Sequence, residues 1–94
     1  MIPGKVRIAG IDYEVKHVNG LAQDHGLAGH ILYTSASIRL DADLPEDRKE
    51  QVFVHEVLHG IFEEAGYDEQ DEDMVNRLGK VLYQVLKDNE LNFQ

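Results

Sequence analysis

Two histidines and a glutamate stand at a spacing that chemistry uses: His55-Glu56-Val57-Leu58-His59. On a helix, residues four apart lie one turn above the other, so both imidazoles share a face and can grip a single ion. This is the HExxH arrangement, in which the histidines bind zinc and the glutamate holds the water that the ion polarises. Composition alone does not explain it. Five histidines and nine glutamates among 94 residues give about 0.02 chance matches to such a pattern.

The flanking residues predict the helix that the motif needs. At about 100° per residue, Phe53, Val54, Val57, Leu58, Ile61, Phe62 and Ala65 fill one broad arc, and His55, Glu56, His59 and Glu63 fall opposite. The apolar arc is expected on the core, with the His/Glu side facing a cleft or solvent. Asp43 is the candidate cap, Pro45 suits the first turn, and Glu46 and Asp47 suit the positive end of the dipole. The helix is expected over 45–65, with Gly66 as its left-handed stop. Gly60 inside it costs about 1 kcal/mol against alanine; it either leaves room for a neighbouring backbone or a substrate or is simply tolerated.

Strands are expected ahead of this helix. Residues 5–18 read as a hairpin around Ala9-Gly10, with Val6, Ile8, Ile11, Tyr13 and Val15 in the apolar places. Residues 30–41 read as a second hairpin around Ser35-Ala36. Between them, residues 19–29 are irregular, with a helical turn at Leu21-Ala22-Gln23. His25 and His30, in or beside this loop, are placed where either could approach a metal, but read first as solvent-exposed loop histidines. After Gly66 an acidic connection leads to a last helix from Asp68 or Asp71 to Lys87. Its stripe is Met74, Val75, Leu78, Val81, Leu82, Val85 and Leu86. So short a connection makes an antiparallel pair and returns the start of the last helix towards the end of the motif helix. The fold class is α+β: an antiparallel strand layer of two hairpins, the motif helix and an antiparallel C-terminal helix, in one domain over 1–94.

A catalytic zinc needs a third protein ligand and an open position. Asp68, Glu69, Asp71 and Glu72 cluster where the chain returns, an acidic group that also suits a helix N-terminus. By helix angle Asp71 lies mid-stripe and Glu72 at its edge, which leaves both open. Glu63 is excluded, because His55, His59 and Glu63 together span two turns, about 12 Å.

The motif helix followed by Glu72-Asp73-Met74-Val75-Asn76-Arg77-Leu78-Gly79-Lys80-Val81-Leu82 resembles the ImmA/IrrE family of zinc metallopeptidases. That family follows HExxH with a helix reading E-x-x-A-N-x-F-A-x-x-L-L, and Glu72, Val75, Asn76, Leu78, Gly79 and Leu82 stand in those places. Short phage- and prophage-encoded members are especially similar, ending in a stretch like Leu82 to Asn89. The resemblance covers about residues 30–89, and the first hairpin loosely. It implies a minimal zincin-like domain, Zn2+ held by His55, His59 and Glu72, Glu56 as general base, and a peptide or protein substrate. On that reading an edge strand at 30–34 aligns the peptide, and the hydroxyl of Tyr33 or Tyr67 steadies the oxyanion.

Composition bounds the alternatives. With no cysteine, thiolate sites and disulfides are excluded. A formal charge of −9 repels phosphate backbones, so no nucleic-acid partner is expected. No stretch has the apolar length of a membrane span, and the N-terminus lacks a signal-peptide core, so a cytoplasmic location with no membrane partner is expected. The competing readings are a phage-type structural or binding protein that keeps the zinc site as a fold staple, and an acidic interaction module without metal.

Overall fold

The computed structural model describes residues 2–91 and residue 93, with only the backbone of His25. Four strands and three helices follow in the order β1 (Lys5–Ile8), β2 (Ile11–Val18), α1 (Leu21–His25), β3 (Gly29–Leu32), β4 (Ser37–Asp41), α2 (Glu46–Glu64) and α3 (Glu72–Asp88). The architecture is α+β.

Both expected hairpins form. At Ala9-Gly10 both residues have positive φ, 51° and 81°, the twist that joins antiparallel strands through two residues. The strand layer as a whole is not antiparallel, however. The sheet runs β1-β2-β4-β3, and β2 pairs with β4 in parallel, Val15 opposite Ile38 and His17 opposite Leu40. The reason lies in β4: four of its five residues are buried, so it takes a neighbour on each side. The chain leaves β2 through α1, runs down β3 at the sheet edge and returns along β4 into the gap. The buried Asp41 holds this crossover, accepting from the backbone N–H groups of Ala22 and Asp43 at 3.4 and 3.1 Å.

One sheet face carries the core, made of Ile8, Tyr13, Val15, Ile31, Ile38 and Leu40, with Val52, Phe53 and Val57 of α2 laid against it. The expected single apolar arc on α2 is divided, because α2 packs on the sheet and on α3 at once. Val54 and Leu58 are buried while Ile61 is 44% exposed. Glu56, expected on the open side, is buried and faces the sheet edge: a β-carbon added to Gly29 would stand 3.4 Å from its Cγ. Gly60 serves the sheet and not a substrate, since a β-carbon there would meet Ile8 Cδ1 at 2.8 Å and Ile31 Cδ1 at 3.1 Å.

The helix ends differ in chemistry. Asp43 does not cap α2. Pro45 occupies that position without a side-chain bond, and Asp43 instead accepts from Gly20 N–H at 3.2 Å. At the other end Gly66, with φ 96°, closes a Schellman motif. Its N–H reaches Glu63 O at 3.0 Å, Tyr67 N–H reaches Phe62 O at 3.0 Å, and the Phe62 and Tyr67 rings pack edge to face. Asp71 caps α3, accepting from Asp73 and Met74 N–H at 2.9 and 3.3 Å. On α3 only part of the expected stripe is covered. Val75 is fully buried, whereas Met74, Leu78, Val81 and Leu86 are exposed, because one neighbouring helix cannot cover so broad an arc. Near the far end of α3, Tyr83 OH and Lys87 Nζ both donate to Glu50 Oε1 of α2, at 2.9 and 2.8 Å. Among the described residues no helix is long and apolar enough to cross a membrane.

Candidate metal centre

The antiparallel return of α3 sets its first turn against the third and fourth turns of α2. Nε2 of His55 lies 3.0 Å from Oε1 of Glu72, and Nε2 of His59 lies 3.2 Å from Oε2. The two imidazoles stand nearly perpendicular, 4.8 Å apart between ring centroids. One ligand atom from each of the three residues falls within 4.8 Å of the others. Ligands about 2.0–2.2 Å from a tetrahedral ion stand about 3.3–3.6 Å from one another. The two imidazole–carboxylate pairs already stand near that spacing, the widest separation must close by about 1–1.5 Å to seat an ion, and His55, His59 and Glu72 can hold a metal. Two imidazole nitrogens and one carboxylate oxygen are a donor set suited to zinc.

Position in the helix separates the acidic candidates. Asp71, at the N-cap, turns its carboxylate back onto its own helix. Glu72, one residue on and one methylene longer, reaches the histidines. Asp68 and Glu69 are exposed in the connection and are absent from the cluster.

The cluster forms one wall of a cleft of about 590 Å³. β3 is an edge strand, and Gly29, His30 and Ile31 line the opposite wall together with Tyr33. Glu56 also lines the cleft, as does Asn76 one turn after Glu72. His30 is an exposed strand residue in this wall but not a member of the ligand cluster. The side chain of His25 lies outside the described residues. Tyr67 packs on Phe62 and does not line the cleft, so of the two tyrosines only Tyr33 lines it.

Electrostatics prepare the groups differently. Burial, with His59 close by, pushes the His55 pKa down against the opposing pull of Glu72, which favours the neutral imidazole that a metal requires. Burial pushes Glu56 up from an ordinary 4.5 to about 7; His59 pulls it down and the Glu72 carboxylate adds to the rise. A carboxyl poised near neutrality suits a group that must both take and return a proton. Burial also raises Tyr33, keeping its phenol protonated at neutral pH.

One member of the site escaped the sequence reading. Gln70 places Oε1 2.6 Å from Nδ1 of His59, and its Nε2 lies 3.3 Å from both the carbonyl oxygen of His59 and the hydroxyl of Tyr33. The available signal was slight: Gln70 is the single amide side chain in the acidic run Asp68 to Asp73. Compared with known proteins, the chain matches no family model, no curated protein and no solved structure.

Proposed function

We propose that this chain is a minimal zincin-like metallopeptidase of ImmA/IrrE type, zinc-dependent and cytoplasmic, that hydrolyses bonds in a peptide or protein substrate. The observation that carries the reading is the convergence of His55, His59 and Glu72 in a cleft that also holds Glu56 and borders a sheet edge. Zinc, when bound there, supplies the positive charge that acidifies water and polarises a scissile carbonyl. Glu56, which is not a ligand, takes the attacking water's proton and returns it to the leaving amine. The free edge of β3 aligns an extended backbone by strand addition. Tyr33 reaches the same cleft, and its hydroxyl accepts from Gln70, which leaves its own proton to donate to the developing oxyanion.

The test pairs zinc analysis of the purified protein with a broad peptide-cleavage screen, run on the wild type and on Glu56→Gln. The expected result is one zinc per chain in both, with cleavage near neutral pH in the wild type alone. Zinc without cleavage transfers the centre to the role of a staple between α2 and α3. Equal turnover in Glu56→Gln removes Glu56 as the base.

A further inference from the structure

The amide of Gln70 meets three groups, and one of them fixes its orientation. The backbone carbonyl of His59 can only accept. The edge of the amide that faces it, at 3.3 Å, is therefore the NH2 edge. The other edge is then the carbonyl oxygen, and it stands 2.6 Å from Nδ1 of His59. An amide oxygen likewise only accepts, so Nδ1 is the donor and carries the proton. A neutral imidazole has one such proton. With Nδ1 protonated, Nε2 of the neutral ring of His59 keeps its lone pair at the place where the ligand atoms converge; the Glu72 oxygen 3.2 Å away also only accepts, so this tautomer calls for a cation between the two.

We propose that Gln70 is the positioning residue of this centre: it locks the ring of His59 in the tautomer that presents Nε2 to a metal ion. The proposal rests on the reading of His55, His59 and Glu72 as a metal centre. Histidines that bind metals commonly donate their second ring N–H to a carbonyl or carboxylate, which fixes the ring and raises its basicity. Here the fixing group comes from the connection between α2 and α3, two residues before Glu72. The same short segment therefore delivers the third ligand and sets the second. His55 lacks an equivalent: among the described residues no hydrogen-bond partner meets its Nδ1. The amide also ties the centre to substrate chemistry, because its second N–H meets Tyr33 OH and directs the phenol proton elsewhere.

The test reads the tautomer without metal. Histidine-labelled 15N spectra of metal-free protein are recorded at about pH 8, above the ordinary histidine range, with His59→Ala to assign the signal. His59 of the wild type is expected as the Nδ1–H tautomer. Gln70→Glu keeps an acceptor at Nδ1 and should retain that tautomer. Gln70→Leu removes the acceptor and should shift His59 towards Nε2–H. Zinc affinity, measured by competition with a chelating dye, should fall about 10–100-fold in Gln70→Leu and stay within a few-fold of wild type in Gln70→Glu. An Nε2–H wild-type ring overturns the proposal, as does a Gln70→Leu protein with unchanged tautomer and zinc affinity. If the wild type binds no zinc the metal centre fails, while the metal-free tautomers still decide what Gln70 does.

Discussion

Glu56→Gln should stabilise the metal-free protein, and by an amount that depends on pH. The carboxyl of Glu56 is buried beside Glu72, with no hydrogen-bond donor on it among the described residues, and its pKa rises from 4.5 to about 7. The unfolded chain gives up this proton more readily than the folded one, so folding takes up a proton. The contribution is fully present below about pH 4.5 and is lost as pH rises through about 7. Each tenfold change in an ionisation constant is 1.36 kcal/mol. Between pH 5 and pH 8 the wild type should thus lose about 2.5 kcal/mol through this one group. Glutamine occupies nearly the same space and never ionises, so its advantage should be small at pH 5 and roughly 2–3 kcal/mol at pH 8. For a domain of this size that corresponds to a Tm difference on the order of 10 °C. The assay is thermal and urea unfolding of both proteins in chelator across this range. Saturating zinc should shrink the difference, since a nearby cation favours the carboxylate. Parallel stability curves for the two metal-free proteins would refute the reasoning, because they would mean that Glu56 folds at no electrostatic cost.

Glu72→Ala should cost most of the zinc affinity, whereas Asp71→Ala should cost about 1 kcal/mol of stability through the lost cap and leave zinc binding near wild type; zinc titration and urea unfolding separate the two. Gly60→Ala and Gly79→Ala gain the same helix propensity, about 1 kcal/mol, yet should differ in sign. The first meets Ile8 and Ile31 at 2.8 and 3.1 Å, and the second meets only ordinary contacts near His55 at 3.8 and 3.9 Å, so urea midpoints should fall for Gly60→Ala and rise for Gly79→Ala. Tyr13→Phe removes a 2.6 Å bond from a fully buried hydroxyl to Glu64 and should cost about 1.5–3 kcal/mol, read from the same unfolding curves.

The elements that position the cluster were legible because local patterns dictate them. Four-residue spacing on a helix brought His55 and His59 together whatever the rest of the chain did, and the brief connection after Gly66 returned α3 to the same place. The sheet order was less accessible. Alternation in β2 and β4 says which side chains point inward, but the parallel pairing of Val15 with Ile38 depends on the whole path through α1 and β3. Burial of Glu56 was misread for a related reason: one helical wheel allows one buried arc, and α2 has two packing partners. The choice between Asp71 and Glu72 turned on the cap. Both acids suit the first turn by charge, and only the cap hydrogen bonds to Asp73 and Met74 N–H show which one is spent on the backbone. Gln70 carries no periodic or charge signature. Its role exists only in three dimensions, where the connection folds back onto His59.

The measurement that bears most directly on the centre is a crystal structure of the zinc-loaded protein with anomalous data collected at the zinc edge. One strong peak per chain is expected, with Nε2 of His55, Nε2 of His59 and a carboxylate oxygen of Glu72 each about 2.0–2.2 Å from it, and Glu56 close by but not bound. A peak held instead by Asp71, Asp68, Glu69 or His30, or no peak at full zinc loading, would contradict it.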